Sequence, residues 1–176
     1  MTTRLPRVRI VQLDAPTLAA LADGDLPRAD LTSPVRLSPY LVSDECTGTW
    51  RRRAEQVLET PGDAAWVTGV VWDEEAERAV GRAGFHAAPD EAGMVEVGYS
   101  IDPAHRRQGY ARAALEALLA RARADGSVAT LRATVAPDNL ASRALIDQYG
   151  LVEVGEQWDD EDGLEVVLEI DVRQER

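Results

Sequence analysis

The chain has 176 residues, of which 45% are hydrophobic, and this length suffices for one domain with a hydrophobic core, which we expect over residues 1–176. Its formal net charge of −12 argues against nonspecific nucleic-acid binding and favours a cationic small substrate, although the simpler interpretation is that acidity serves solubility alone. There is no signal-peptide pattern, no apolar run of membrane-spanning length, one cysteine (Cys46) and no Cys/His cluster with metal-ligand spacing, so we expect a cytoplasmic protein without membrane partner, internal disulfide or metal.

The first half of the chain predicts one strand, two helices and then three strands in succession. Residues 25–49 contain several prolines and little periodicity, and we interpret them as an extended or partly helical lip over a site, or as a connecting loop. Thr49 is the expected N-cap of the second helix. Short charged or glycine-containing turns join the three strands, which favours an antiparallel meander. The predicted elements are strand 7–13, helix 15–22, helix 50–58 and strands 66–72, 79–87 and 94–101.

The second half contains the clearest helix of the sequence, over 110–124, where apolar residues recur at helical spacing and a glycine follows the end. A strand–helix–strand crossover of this kind places its two strands parallel in one sheet. The whole order, β-α-α-βββ-α-β-α-ββ, therefore predicts an α+β fold with a mixed, mostly antiparallel central sheet and flanking helices. The remaining predicted elements are strand 128–135, helix 140–148 and strands 151–158 and 164–172.

A basic loop separates the strand that ends at Asp102-Pro103 from the helix that begins near Tyr110. It reads Arg106-Arg-Gln-Gly-Tyr-Ala111. Free backbone N–H groups, the positive end of a helix dipole and two arginines meet there, an arrangement suited to a phosphate or pyrophosphate. The alternative is an ordinary basic loop before a helix.

Three further features give this loop a context. Asn139-Leu-Ala-Ser142 follows the next strand, and Leu145-Ile-Asp-Gln-Tyr-Gly-Leu151 ends the next helix. With the loop between a strand and a helix, these motifs resemble the GNAT superfamily of acetyl-CoA-dependent N-acetyltransferases. They are most similar to the branch that contains ribosomal-protein N-terminal acetyltransferases and several antibiotic-modifying enzymes. The resemblance implies a GNAT-like fold in which the parallel strands 94–101 and 128–135 splay apart.

The resemblance also implies a set of residues that bind acetyl-CoA. The loop N–H groups would hold the pyrophosphate, and Gly109 would let the main chain approach it closely. The end of strand 94–101 would pair with the pantetheine amides like an added strand. Asn139 would hydrogen-bond the cofactor or cap its helix, and the two roles are compatible. The implied residues are Ser100, Ile101, Asp102, Arg106, Arg107, Gln108, Gly109, Tyr110, Ala111 and Asn139.

Glu96 is the candidate catalytic base. Acetyl transfer requires a neutral amine, and a carboxylate on an otherwise apolar strand could accept the proton directly or through a water molecule. Its neighbours in sequence are Val95 and Val97. The alternative is that Glu96 faces solvent in an alternating strand. His86, on the preceding strand, could face the same cleft, but we interpret it as a solvated residue.

The candidate acid is where the sequence departs from the family. The common tyrosine, seven residues after the asparagine, is replaced by Ile146, and a base that some members carry is replaced by Thr134. The resemblance leaves Ser142 as the substitute acid, although it could instead only hydrogen-bond at the start of its helix. A dedicated acid could also be unnecessary, because a thiolate leaves readily. The backbone N–H near Tyr99 could polarise the thioester carbonyl.

The predicted function is transfer of an acetyl group from acetyl-CoA to a primary amine, by direct attack on the thioester. The acceptor would be a protein or peptide N-terminus, which requires a groove, or a small-molecule amine, which requires a closed pocket. The alternative is an acyl-CoA-binding or regulatory module with little turnover, motivated by Ile146. Homodimers are common in such enzymes, so a homodimer is one expected assembly.

Overall fold

A computed structural model describes residues 4–160 and 163–173. Seven strands form one sheet, and helices cover both of its faces. In the described part of the chain, no helix has both the length and the apolar character needed to cross a bilayer. The elements are β1 (Val8–Val11), α1 (Ala15–Ala22), α2 (Leu26–Thr32), α3 (Asp44–Glu59), β2 (Gly69–Asp73), β3 (Arg78–Phe85), β4 (Met94–Ile101), α4 (Tyr110–Ala124), β5 (Thr130–Val135), α5 (Leu140–Ile146), β6 (Val152–Asp159) and β7 (Gly163–Asp171).

The sheet is mixed, with strand order β1-β2-β3-β4-β5-β7-β6. Only β4 and β5 pair in parallel among these strands, and the helix between them is α4. The pairs β2–β3 and β3–β4 are antiparallel, which confirms the predicted meander. The α+β fold class with a mostly antiparallel sheet and one parallel pair is likewise confirmed.

The parallel pair opens partway along its length. β4 is in register with β5 only from Met94 to Val97, opposite Thr130 to Ala133. The following part of β4 stays paired with β3 on its other edge, up to Ile101 opposite Gly81. Among the described residues, no strand lies against the β5-facing edge of β4 beyond Val97. The predicted splay is therefore present, and it leaves strand backbone available to a ligand.

Two hydrophobic cores lie on the two faces of the sheet. On one face, α4 buries Leu115, Leu118 and Leu119 against β3, β4 and β5, as its apolar periodicity predicts. On the other face, α1 and α3 pack together and bury Leu18 and Trp50. Each face of the sheet is therefore packed by its own set of helices.

The segment before β2 differs from its prediction in its helices. Helix α3 begins at Asp44 rather than at residue 50, so Thr49 is a buried residue inside the helix and its predicted role as N-cap is wrong. The run from Cys46 to Thr49 has weak helix propensity and hid this turn, whereas Asp44 and Glu45 favour a helix start through the dipole. Residues 25–49 also contain α2, so the segment is partly helical.

The predicted lip contacts the site through several side chains. The Tyr40 hydroxyl lies 2.7 Å from the Ser100 hydroxyl at the end of β4, and the Glu45 carboxylate pairs with Arg106 of the loop at 3.5 Å. Burial raises the pKa of the Tyr40 phenol to about 12, so it remains protonated at neutral pH, and its O–H donates to Glu45 at 3.2 Å. The segment is thus anchored to the strand that borders the open end of the sheet.

Candidate active site

Two cavities meet where β4 and β5 separate. One, which we call the loop cavity, has a volume of about 820 Å³ and is bordered by the loop before α4. The other, the arginine cavity, has about 710 Å³ and lies between α3, β3 and the β6–β7 hairpin. Tyr99, Asn139 and Ser142 line both cavities. These three residues therefore mark the place where groups bound on the two sides would come together.

The loop before α4 has a backbone shape suited to an anion. Arg107 and Gly109 both have left-handed conformations, with φ of 61° and 87°. Alternation of this kind turns successive N–H groups toward one concave side. Within the described residues, the N–H groups from Arg107 to Ala111 donate to no protein acceptor. A phosphate group fits these free donors, and the start of a fifteen-residue helix adds its dipole.

Eight of the ten residues assigned to acetyl-CoA border the loop cavity. Asp102 and Gln108 do not line it. The Asp102 side chain accepts the N–H of Ala104 at 2.9 Å, and the Gln108 amide donates to a backbone carbonyl at 3.4 Å. Both side chains therefore organise the loop locally. The residues that line the cavity are Ser100, Ile101, Arg106, Arg107, Gly109, Tyr110, Ala111 and Asn139.

The side chain of Tyr110 anchors the loop to the sheet. Its buried hydroxyl donates to the Asp73 carboxylate at 2.5 Å, at the end of β2, and lies 3.3 Å from Arg78. Burial and the Asp73 hydrogen bond raise the pKa of Tyr110. On the cavity side, Arg106 Nε donates to the Ile101 carbonyl at 3.0 Å. These contacts fix the loop between β2 and β4.

Asn139 and Ser142 open helix α5 at the junction of the cavities. The Asn139 side chain accepts the backbone N–H of Ser142 at 3.1 Å, which is an N-cap bond. The Ser142 hydroxyl lies 2.8 Å from the hydroxyl of Tyr99. Capping thus uses the Ser142 N–H and leaves its hydroxyl directed toward β4.

Tyr99 supplies a phenol that the sequence reasoning missed, since only its backbone N–H was considered. Burial raises the pKa of Tyr99, and the hydrogen bond to Ser142 opposes this in part. The phenol is therefore protonated at neutral pH. Ile146, at the position of the common family tyrosine, is buried and lines the arginine cavity. A tyrosine hydroxyl is thus present at the junction, but it comes from β4 rather than from α5.

Glu96 lies in the arginine cavity, with 17% of its side chain exposed. Its Oε1 accepts a hydrogen bond from the Thr134 hydroxyl at 2.8 Å, across the parallel pair. The same oxygen lies 3.5 Å from His86 Nδ1. Among the described residues, no donor contacts Oε2. That oxygen is available for a ligand proton or a water molecule.

His86 borders the cavity beside Glu96, as the cleft-facing alternative predicts, and 44% of its side chain is exposed to solvent. Its pKa is lowered to about 4, chiefly by burial and then by the positive charges of Arg53, Arg52 and Arg82, against an opposing effect of Asp159. At neutral pH the imidazole is uncharged, and its contact with Glu96 is not an ion pair. Burial and the arginines both depend on residues that are distant in sequence, so no local sequence pattern signals this lowered pKa.

A profile of the acetyltransferase (GNAT) domain matches residues 7–152. The chain is 24% identical over 160 residues to an uncharacterized N-acetyltransferase, YjdG, of Bacillus subtilis (strain 168), covering 83% of this chain and 86% of the relative.

Solved structures share the fold at low sequence identity. The ribosomal L7/L12 α-N-protein acetyltransferase RimL, in complex with coenzyme A, superimposes with a TM-score of 0.65 at 16% identity over 93% of each chain. A dodecameric spermidine N-acetyltransferase from Vibrio cholerae gives a TM-score of 0.65 at 16% identity, over 96% of this chain and 95% of the other.

Proposed function

The chain belongs to the GNAT acetyltransferase family, and on this premise we propose that it transfers the acetyl group of acetyl-CoA to a primary amine. One observation carries the proposal: an anion-binding loop cavity and a second, charged cavity meet at Tyr99, Asn139 and Ser142. An acyl donor in the first cavity and an amine in the second would meet at the open end of the β4–β5 pair.

The free loop N–H groups support pyrophosphate binding, with Arg106 and Arg107 adding positive charge. The open edge of β4 at Ser100 and Ile101 supports pairing with the pantetheine arm. One contact of this structure bears on that pairing, because the Ile101 carbonyl already accepts Arg106 Nε. We propose that Arg106 releases this carbonyl when it turns to the phosphates.

Glu96 is the proposed base. Acetyl-CoA supplies a thioester whose carbonyl carbon the amine attacks and whose sulfur leaves as a thiolate. Glu96 accepts the proton that the ammonium group must lose, through its available Oε2 or through a water molecule. Thr134 holds the other carboxylate oxygen, which restrains the side chain. His86, uncharged at neutral pH, forms no ion pair with Glu96.

The hydroxyl pair of Ser142 and Tyr99 is the proposed acid. The Ser142 hydroxyl donates a proton to the leaving thiolate, and the Tyr99 phenol, 2.8 Å away, donates its own proton to Ser142. The second proton, which the attacking nitrogen loses as the amide forms, then restores the Tyr99 phenol. The electron pair of the broken C–S bond stays on sulfur, which the transferred proton neutralises. Asn139 positions this pair because it caps the helix that carries Ser142.

Removal of either hydroxyl tests this acid. We expect Ser142→Ala and Tyr99→Phe each to lower kcat by about tenfold to a hundredfold, at the low end of acid–base effects because a thiolate leaves readily. The double variant should be little worse than either single one, since both groups serve one proton transfer. The measurement is steady-state thiol release with acetyl-CoA and amine varied. Ser142→Thr, which keeps a hydroxyl, is the control, and an unchanged kcat for both single variants would contradict the proposal.

Two assays separate transferase activity from the alternative binding module. Acetyl-CoA at a hundredfold excess over its Kd should stabilise the protein by about 2.7 kcal/mol, which a thermal shift detects. Gly109→Val should abolish the shift, because a β-branched residue is strained at a φ of 87° and would meet Leu5 and Pro6. Stabilisation with no thiol release for any amine would favour a binding module. Absence of stabilisation would remove the cofactor proposal.

For the acceptor and the assembly, the proposal goes no further than the range found among similar structures. The similar structures include enzymes named for a ribosomal protein and for spermidine, and one of them is dodecameric. A peptide N-terminus and a small amine are therefore both retained as acceptors under this proposal. The homodimer stays a prediction, which light scattering in solution tests.

A further inference from the structure

Three arginines converge on one wall of the arginine cavity. Arg52 and Arg53 come from α3, and Arg82 comes from the middle of β3. None of the three lies in the loop before α4, so they belong to the acceptor side of the proposed reaction. A cationic wall is unexpected in a cavity proposed to receive an ammonium group, because like charges repel.

Arg53 is held rigidly by neutral partners. Its Nε donates to the Thr68 hydroxyl at 3.2 Å, and its Nη1 donates to the Gln56 side chain at 2.8 Å and to the His86 carbonyl at 3.1 Å. In the ranges 4–160 and 163–173, no carboxylate forms an ion pair with Arg53. The guanidinium is thus positioned precisely while its charge is left uncompensated at contact distance.

Arg82 also lacks a carboxylate partner within the described residues. One of its terminal nitrogens donates to the Glu45 carbonyl at 3.1 Å, and its buried Nε has no hydrogen-bond partner. A buried donor without an acceptor is costly, and such groups usually have a ligand or water as partner. The two guanidinium groups therefore present unsatisfied positive charge to the cavity.

The neighbouring positive charges of the three arginines repel one another, and this repulsion is present in the folded protein. Burial, Arg52 and Arg82 together lower the pKa of Arg53 to about 10, against weaker opposing effects of Asp63 and Glu96. Arg53 nevertheless stays charged at neutral pH. An anion bound between Arg53 and Arg82 would relieve this repulsion, and its oxygens could accept from Arg53 Nη2 and Arg82 Nη1, which donate to no acceptor among the described residues.

The same cavity also has acidic lining residues. Asp159, Asp160 and Glu165 come from the β6–β7 hairpin, and Glu96 comes from β4. Positive and negative lining residues in one cavity are complementary to a molecule that carries both charges. Resting on the transferase function above, we propose that the acceptor is a small amino-acid-type amine, whose carboxylate Arg53 and Arg82 bind while its amine faces Glu96.

Pairs of amines that differ only in the carboxylate test this proposal. Lysine with cadaverine and ornithine with putrescine differ by that group alone, and lysinamide keeps the shape of lysine without its charge. We expect kcat/KM to be about tenfold to a hundredfold higher for the carboxylate member of each pair, as one charge-assisted contact provides. The panel also includes phosphoethanolamine, paired with ethanolamine, and a peptide whose first residue is acidic. If the protein prefers only phosphoethanolamine or only the peptide, the carboxylate assignment is overturned.

Variants connect the preference to the wall. Arg82→Gln and Arg53→Gln should each raise KM for the carboxylate substrates by about tenfold or more and leave KM for acetyl-CoA unchanged. Arg53→Lys keeps the positive charge but loses the guanidinium donors, so its KM for the carboxylate substrates should lie between those of the wild type and Arg53→Gln. Arg51→Gln is the matched control, since Arg51 is an exposed neighbour on the same helix that does not line the cavity. Equal preference in the wild type and both glutamine variants overturns the inference.

The inference and the proposed function can fail separately. If diamines and diamino acids give thiol release at equal rates, and the variants do not change these rates, the transferase proposal stands and the carboxylate site is overturned. If no amine gives thiol release, the transferase proposal fails. In that case the carboxylate site is tested on its own, by comparing the thermal shifts that lysine and lysinamide each cause in the coenzyme A-loaded protein. Stabilisation by lysine that Arg82→Gln abolishes supports the site, and its absence overturns it.

Discussion

Replacement of Glu96 by glutamine is expected to lower kcat/KM for the amine by about 100-fold to 10,000-fold, the range of general acid–base catalysis. Glutamine keeps the size of the side chain but cannot accept the proton that the ammonium group must lose. The defect should be largest at a pH below the pKa of the acceptor, where the amine arrives protonated. Above that pKa the amine is already neutral, so the difference from the wild type should narrow.

A pH series of steady-state rates, from pH 6 to pH 9, measures this effect. Glu169→Gln is the control, because Glu169 is a partly buried carboxylate of the same sheet that pairs with Arg132 and does not line the cavity. His86 should contribute no step near pH 6.5, since its pKa is lowered to about 4. Rates equal to those of the wild type across the series would exclude Glu96 as the base.

The largest effect on stability is expected from Trp50. Trp50→Ala should lower the free energy of unfolding by about 3–5 kcal/mol, the usual loss for a large aromatic residue in a core. Trp50 is fully buried on α3 beside Leu18 and Leu41 in the second core, and its indole N–H donates to the Leu41 carbonyl at 2.7 Å. This loss is a large fraction of the stability of an ordinary domain.

Trp50→Phe separates the two contributions. It retains most of the packing but leaves the Leu41 carbonyl without its donor, so a smaller loss of about 1–3 kcal/mol is expected. Denaturant titration followed by circular dichroism measures both values. Because α3 also carries Arg52 and Arg53, Trp50→Ala should weaken amine binding at denaturant concentrations too low to unfold the protein. A midpoint within error of the wild type for Trp50→Ala would contradict the role of α3 in the second core.

The sheet and the helix after the loop could be predicted because their signals are local. Helix α4 has an apolar face of regular spacing, and the turns of the meander are short and charged. The first turn of α3 could not be predicted, because the weak helix propensity of residues 46–49 is outweighed by the burial of Cys46, Thr49 and Trp50. Packing between elements distant in sequence decides such cases.

The site was predictable where a single loop forms it and much less so where several elements meet. The loop from Arg106 to Ala111 is one continuous motif, and most of its residues border one cavity. The Tyr99–Ser142 pair joins residues that are 43 positions apart, and its phenol is exposed to the junction only because β4 leaves β5 after Val97. Likewise, the pKa of His86 is lowered first by burial and then by arginines of α3 and β3, which are distant from it in sequence.

The wall that the two cavities share has a thermodynamic consequence. Asn139 and Ser142 border both spaces and are joined by the cap of one short helix, so a ligand that reorients them on one side alters what the other side offers. If a donor and an acceptor bind as proposed, reciprocity requires that each changes the other's affinity by the same factor. The opening between β4 and β5 would then couple occupancy of the two cavities as well as joining them in space.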